Sequence, residues 1–194
     1  MTSVINVIRD EHRSIAAILH GMQYLCNEIR EHGRRIDLKV FWSMLYYLDT
    51  FSERMHHPKE DKFLFSVLKK RTREAEEIIS DLEREHASGE SALKGLEQAL
   101  ARFQEGGMKE FPAFADGVER FARGYWEHMR KEEELVLPLA QKVLGDADWA
   151  IINPEFAANR DPLASERENQ DFQKLFSKIV SLAPSPIGVG PELA

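Results

Sequence analysis

Four histidines and two glutamates interrupt the apolar stripes of four long helical segments. Each glutamate follows a histidine by four residues, so the two side chains of a pair share one helix face, one turn apart. A lone carboxylate in a protein core costs several kcal/mol or takes up a proton. Several such groups in one core therefore indicate cations among them. The residues are His12, His56, Glu60, His86, His128 and Glu132.

An internal repeat strengthens this interpretation. The segment HHPKEDKFLF (56–65) aligns with HMRKEEELVL (128–137), and IRDEH (8–12) resembles LEREH (82–86). A single histidine on a helix stripe is more often an ordinary core residue, and one H-x3-E pair is a weak signal. Two helix pairs with the same pattern at nearly equal separations reverse that judgement and predict a metal site.

The residue types point to two divalent ions. The glutamates would bridge both ions while the imidazoles bind at the ends. A mixed nitrogen and oxygen set without thiolate suits Fe, Mn or Zn better than Ca or Mg. Six protein ligands shared by two ions leave positions for water, hydroxide, O2 or peroxide.

The apolar spacing predicts helices that position these residues over 3–31, 38–71, 73–104 and 111–144. A shorter fifth helix is expected over 165–182. Amphipathic helices of this length with short links favour an all-α fold, an antiparallel up-down four-helix bundle. Residues 1–145 would form the bundle, and 146–194 a loop, the additional short C-terminal helix and a flexible tail.

Several local features refine this prediction. Asp37 is the expected N-cap of the second helix, and Pro58 should kink that helix or force a bulge. The segment NPEFAANRDP (153–162) contains two prolines and predicts a loop. The C-terminal helix would cap the bundle or mediate a homodimer. The stripe predicted for the fourth helix is Phe114, Val118, Phe121, Tyr125, His128, Glu132, Leu135 and Leu139.

Composition excludes several other classes. The 194 residues carry a formal charge of −7, so nucleic-acid binding is not expected. A single cysteine, Cys26, excludes an intramolecular disulfide and a multi-cysteine metal site, and it should be a buried, inert thiol. The sequence shows no apolar run that would span a membrane and no secretory signal, so a cytoplasmic protein is expected. His20 and His32 fall off the stripe and should face water.

The segments RDEH, HHPKED, EREH and EHMRKEEELVLP resemble those of the hemerythrin-like, or HHE cation-binding, family of bacterial proteins, over about residues 3–144. The resemblance implies an up-down four-helix bundle with a non-haem, oxo- or hydroxo-bridged di-iron centre. It further implies O2 binding, oxygen or iron sensing, or chemistry with peroxide or nitric oxide. Carried over to this chain, the iron ligands are the six residues above, with Glu60 and Glu132 as bridges.

Two positions depart from the family pattern. Oxygen-carrying hemerythrins have a fifth histidine where this chain has Glu90, which is either a further ligand or a solvated residue. His57 has no counterpart in the repeat, where Met129 stands. It is a seventh ligand, a hydrogen-bond donor to the site, or a surface residue. Tyr125, one turn before His128, either hydrogen-bonds at the site or simply packs in the core.

Three functions remain open from the sequence. The first is a di-iron protein that binds or senses O2 or reactive oxygen or nitrogen species. The second is a di-iron enzyme that decomposes peroxide. The third is a bundle stapled by a structural metal such as Zn; Mn is also compatible with the ligands.

Overall fold

The computed structural model describes residues 4–158 and 170–190, and all long elements within these ranges are helical, as predicted. Two of the helices are continuous runs of α-helical and π-helical segments. Among these residues, no helix combines the length and apolarity needed to cross a membrane. The helices are α1 (Val4–His32), α2 (39–71), α3 (Glu76–Gly106), α4 (111–143), α5 (Asp146–Ala158) and α6 (Gln170–Leu182).

Local signals set the ends of the helices. Gly33, at φ 63°, terminates α1 in the left-handed conformation that glycine adopts without strain. The N-cap residue of α2 is Leu38, one residue after the predicted Asp37. The Asp37 carboxylate nevertheless accepts the backbone N–H of Lys39 at 3.0 Å, at the start of the helix. Gly107, at φ 69°, follows the last residue of α3.

Prolines coincide with widened helical turns in α2 and α4. In α2, π-helical segments span Leu48–His56 and Glu60–Phe65, on either side of Pro58, which confirms the predicted distortion. In α4, a π-helical segment spans Glu132–Val136, just before Pro138. A π-turn inserts one residue and rotates the following side chains, and such turns are frequent at functional sites.

The π-helical segment of α4 overturns part of the predicted stripe. Leu135 was expected in the core, but 53% of its surface is exposed. Val136 and Leu137 are buried instead. The inserted residue shifts the inward face by one position, which a constant helical period does not anticipate.

The first four helices pack in a ring: α1 contacts α2 and α4, and α3 contacts α2 and α4. In each neighbouring pair, residues early in one helix contact residues late in the other, so neighbours run in opposite directions. The contacts that show this are Gln23–Glu119 and Arg30–Asp116 for α1 and α4, Trp42–Gln104 and Lys69–Glu83 for α2 and α3, Lys59–Glu11 for α1 and α2, and Glu85–Lys131 for α3 and α4.

A layer of buried polar residues separates two apolar clusters. The larger cluster contains residues such as Ile15, Phe51 and Leu93, and the smaller contains Ile8, Leu64 and Leu82. On α1 and α3 the change from one cluster to the other takes place at a histidine. We call this level the polar layer; it comprises His12, His56, Glu60, His86, His128 and Glu132.

The predicted loop at 153–162 is wrong over its described part. Helix α5 runs through Pro154 to Ala158, whereas 159–162 lie outside the described residues. Ile152 and Phe156, one turn apart, are buried in the smaller apolar cluster, and this packing outweighs the hydrogen bond that Pro154 cannot donate. The Arg71 guanidinium also binds the Asp148 carboxylate and fastens α5 to α2.

Helix α6 packs on the first turns of α2, which favours the capping role. Leu175 and Ile179 of its predicted face are buried; 165–169 and the side chains of Phe172 and Phe176 lie outside the description. The chain after α6, expected to be a flexible or lightly held tail, folds back through 190. The N–H groups of Val189 and Gly190 donate to the carbonyls of Val180 and Ala183, each at 2.8 Å.

Candidate metal centre

The six residues of the polar layer converge at the middle of the bundle. His12, His56, Glu60 and Glu132 form one group in which one ligand atom from each residue lies within 4.8 Å of every other. A second group with the same property consists of His86, His128 and the same two glutamates. All six are buried. Each group could hold a metal ion, and the two groups share both carboxylates.

The candidate donor atoms are better placed to bind cations than to hydrogen-bond with one another. Both carboxylate oxygens of Glu60 and of Glu132, and Nε2 of His12, have no hydrogen-bond partner among the described residues. The nearest imidazole nitrogens lie 3.2–3.5 Å from these oxygens without a properly aligned hydrogen. Buried polar atoms of this kind are rare and costly. Their lone pairs are therefore available to a metal.

The facing nitrogens of His86 and His128 support the same interpretation. Their Nε2 atoms are 3.0 Å apart. Two imidazole nitrogens about 2.1 Å from one ion and at a right angle would be separated by about that distance.

The close packing of buried charged groups at the centre shifts their pKa values in different directions. Burial and the neighbouring charge of Glu132 raise the pKa of Glu60 well above its usual value. Burial also acts to raise the pKa of Glu132, but the imidazoles of His128 and His12 hold it well below normal. Burial would lower the pKa of His12, yet Glu132 and Glu133 raise it to about 9. Because ligands bind in their deprotonated forms, bound cations would displace protons here.

Each histidine of the polar layer is oriented by a carboxylate. The Nδ1 atom of every one lies 2.7–2.9 Å from a carboxylate oxygen that can accept its hydrogen, which leaves Nε2 directed inward. Metal-binding histidines are typically held by such partners, which fix the tautomer and the ring orientation. The pairs are His12–Glu133, His56–Glu11, His86–Asp61 and His128–Glu85.

We call these four orienting acids the outer carboxylates, and two lysines bind to them. Lys59 donates to Glu11 at 3.0 Å, and Lys131 donates to Glu85. The two lysines occupy equivalent positions of the H-x-x-K-E-acid repeat. The pattern of the repeat alone does not predict these roles, although the repeat contains the acids of RDEH and EREH and the acid that follows Glu60 and Glu132.

Of Glu90 and His57, whose roles the sequence left open, the structure brings only His57 to the centre. Glu90 is exposed and belongs to neither group, so the structure does not support it as a ligand. His57 is buried and forms a third group with His86 and His128. Burial lowers the pKa of His57 to about 3, although Glu53 acts in the opposite direction, so the ring is neutral.

Other residues considered from the sequence have defined places. Tyr125 is buried, and its hydroxyl donates to the Glu53 carboxylate. Cys26 is buried in the larger cluster, and burial raises its pKa to about 12, consistent with an inert thiol. His20 and His32 are exposed, as expected.

One pocket leads from the surface to this layer. It lies between α1 and α4, has a volume of about 300 Å³, and His12 is one of its lining residues. Trp126 and Met129 form part of its wall, and the guanidinium-bearing residues Arg13 and Arg130 line it as well. A molecule the size of O2, peroxide or nitric oxide fits this volume.

Comparison with known proteins gives one match. No curated protein and no solved structure matched the chain. The family model of the hemerythrin HHE cation-binding domain matches residues 3–140, the same helices that carry the polar layer and its outer carboxylates. The chain therefore belongs to the hemerythrin HHE cation-binding domain family.

Proposed function

We propose that the chain holds two iron ions in the polar layer and uses them to bind or sense O2 or reactive oxygen or nitrogen species. The ligands are the imidazoles of His12, His56, His86 and His128, with the carboxylates of Glu60 and Glu132 as bridges. The observation that carries the proposal is the pair of buried glutamates whose four oxygens lack hydrogen-bond partners among the described residues.

The fold supports this function through its geometry. Opposite directions in neighbouring helices support an up-down bundle, in which every helix passes the centre once. Each helix then contributes its ligands from one turn, and the outer carboxylates hold the rings in place before a metal arrives. Such preorganisation reduces the reorganisation that binding requires.

Iron is the metal that the donor set and the family resemblance favour. Imidazole and carboxylate suit iron, manganese and zinc. A pair of iron ions, when bound, supplies one-electron chemistry and open positions for a small oxidant. The chain contributes a dry apolar surround on both sides of the layer and a pocket that His12 lines. This combination supports binding or sensing of a small diatomic molecule or peroxide.

Metal analysis combined with absorption spectroscopy tests the proposal. The protein is reconstituted anaerobically with ferrous iron, and spectra are recorded before and after O2, peroxide and nitric oxide. Two irons per chain and a spectrum that changes with one of these molecules are expected. His128→Ala should abolish both, whereas the exposed Glu90→Gln should leave both unchanged.

The other outcomes are equally informative. Catalytic loss of added peroxide that depends on His128 would identify an enzyme rather than a binding protein. A colourless protein that retains zinc and gains only thermal stability would indicate a structural metal. Fewer than one metal per chain under all loading conditions would refute the metal centre.

A further inference from the structure

The two copies of the internal repeat differ at the position directly after the first histidine. In the first copy His56 is followed by His57, and in the second His128 is followed by Met129. The lysines and acids that the two copies share make equivalent contacts. The exchange of an imidazole for a thioether therefore makes the two halves of the centre chemically unequal.

His57 is placed as a ligand would be. Its ring lies nearly parallel to that of His86, with centroids 4.2 Å apart and an interplanar angle of 12°. One nitrogen of His57 lies within 4.8 Å of the ligand nitrogens of His86 and His128. The residue is 5% exposed, and neither of its ring nitrogens has a hydrogen-bond partner among the described residues.

Packing alone does not account for this residue. A buried imidazole without a well-formed hydrogen bond forfeits the hydration of both nitrogens, and here it gains only stacking and one long contact with Glu53 in return. An apolar side chain, such as the Met129 of the other copy, would fill the same space without that cost. Coordination to an ion would satisfy one of the two nitrogens.

A dedicated carboxylate accompanies His57. Glu53 Oε2 lies 3.4 Å from His57 Nδ1, on the side where the other four histidines each have their orienting acid. Tyr125 donates to Glu53 and holds it in place. Gly89 of α3 makes room, because a Cβ at that position would lie 2.2 Å from Glu53 Oε2.

We propose that His57 is a third imidazole ligand of the ion held by His86 and His128, and that α2 supplies it in place of α3. The inference rests on the proposed metal centre. Glu53 is its positioning residue, and the glycine at 89 is required for Glu53 to take this place. One ion would then have three imidazoles and the other two, His12 and His56.

The primary test compares His57→Ala with the wild-type protein and with His32→Ala, which removes an exposed histidine. Ferrous iron is loaded anaerobically, and zinc is loaded in a parallel set. Metal content after competition with a chelator and the dissociation constants are measured. Loss of an outer partner alone weakens metal affinity about 10–100-fold, so His57→Ala should weaken the less tightly held ion at least about tenfold. His32→Ala should behave as the wild type.

X-ray absorption of the loaded proteins provides a readout that a packing role would not change. The wild type should show five imidazoles over two ions, and His57→Ala should show four. If His57→Ala fails to fold, His57→Gln preserves a polar side chain of similar length for the same measurements. A wild type that binds two ions alongside a His57 variant with unchanged affinities and imidazole count would overturn the proposal. A wild type that binds no metal would instead refute the metal centre itself.

The role of Glu53 is tested at the glycine that accommodates it. Gly89→Ala should displace the carboxylate and weaken the affinity for the same ion, by less than His57→Ala does. Gly124→Ala is the matched control, because nothing lies within 4 Å of a Cβ at that position. Equal metal affinity in Gly89→Ala and Gly124→Ala would contradict the positioning role.

Discussion

Replacement of Glu60 by leucine should stabilise the metal-free protein and abolish its stabilisation by metal. Glu60 is 1% exposed, and both of its carboxyl oxygens lack hydrogen-bond partners among the described residues. It also faces the second carboxylate, Glu132, which raises its pKa. Without cations the group therefore opposes folding, and a leucine of similar volume removes that opposition. A change that disables the site should thus improve the stability of the empty fold.

The magnitude follows from the unpaired oxygens. An unsatisfied buried polar group costs about 1–3 kcal/mol, and Glu60 has two such oxygens. We expect a gain of about 2–3 kcal/mol in the free energy of unfolding of the metal-free protein. For a chain of this size each kcal/mol shifts Tm by about 2–4 °C, so the rise should be roughly 5–10 °C.

Metal should reverse which of the two proteins, the wild type or Glu60→Leu, is the more stable. An ion at 100 times its dissociation constant adds about 2.7 kcal/mol, so two ions add about 5 kcal/mol to the wild type. Glu60→Leu loses a ligand of both ions and should lose most of this increment. The wild type is then the more stable protein when zinc is present and the less stable protein when zinc is chelated.

Differential scanning calorimetry with chelator and with zinc measures both effects. Glu90→Leu provides the control, since it makes the same exchange at an exposed position of α3 and should change the free energy of unfolding by no more than about 0.5 kcal/mol in either state. If Glu60→Leu destabilises the metal-free protein, the carboxylate is satisfied in a manner that the geometry does not provide. That result would refute the energetic cost of the unpaired oxygens.

Two further predictions concern charged contacts outside the ligand set. Lys59 is buried beside Glu11, whereas Lys131, its counterpart in the repeat, is partly exposed. In chemical denaturation, the free energy of unfolding should fall by about 3 kcal/mol for Lys59→Met and by less than about 1 kcal/mol for Lys131→Met. Equal losses would contradict the role of burial. Arg71 lowers the pKa of Asp148, so the stability that this pair adds is present above the usual carboxyl pKa of about 3.9 and is lost as the pH falls through the lower folded value. Arg71→Met should therefore have a lower Tm than the wild type at pH 7, and the difference should shrink in acid; a constant difference would exclude the ion pair as its cause.

The sequence was sufficient for the helices and for the convergence of the main candidate ligands. The sequence predicted that His12 interrupts the apolar stripe of the first helix, and His12 is buried on α1 between Ile8 and Ile15. The six residues met in space because each interrupted an apolar stripe at the same level. A polar residue that interrupts an apolar periodic pattern can be recognised from the sequence alone.

What the sequence did not predict depends on local departures from that period. The π-helical turn at Glu132 moved Leu135 outward, and no periodic template contains the inserted residue. Pro154 was taken as the mark of a loop, yet Ile152 and Phe156 keep α5 helical through their packing. In each case a tertiary contact outweighed a local rule.

The outer carboxylates explain why each helix of the repeat carries both a histidine and an acid. Each acid orients a histidine on the next helix rather than on its own, and the four relations close into a ring. They run from Glu11 of α1 to His56 of α2, from Asp61 of α2 to His86 of α3, from Glu85 of α3 to His128 of α4, and from Glu133 of α4 back to His12 of α1. None of these four imidazoles is oriented by an acid of its own helix, so the four are aligned only when all four helices are in place. Metal affinity in this architecture therefore depends on closure of the entire bundle.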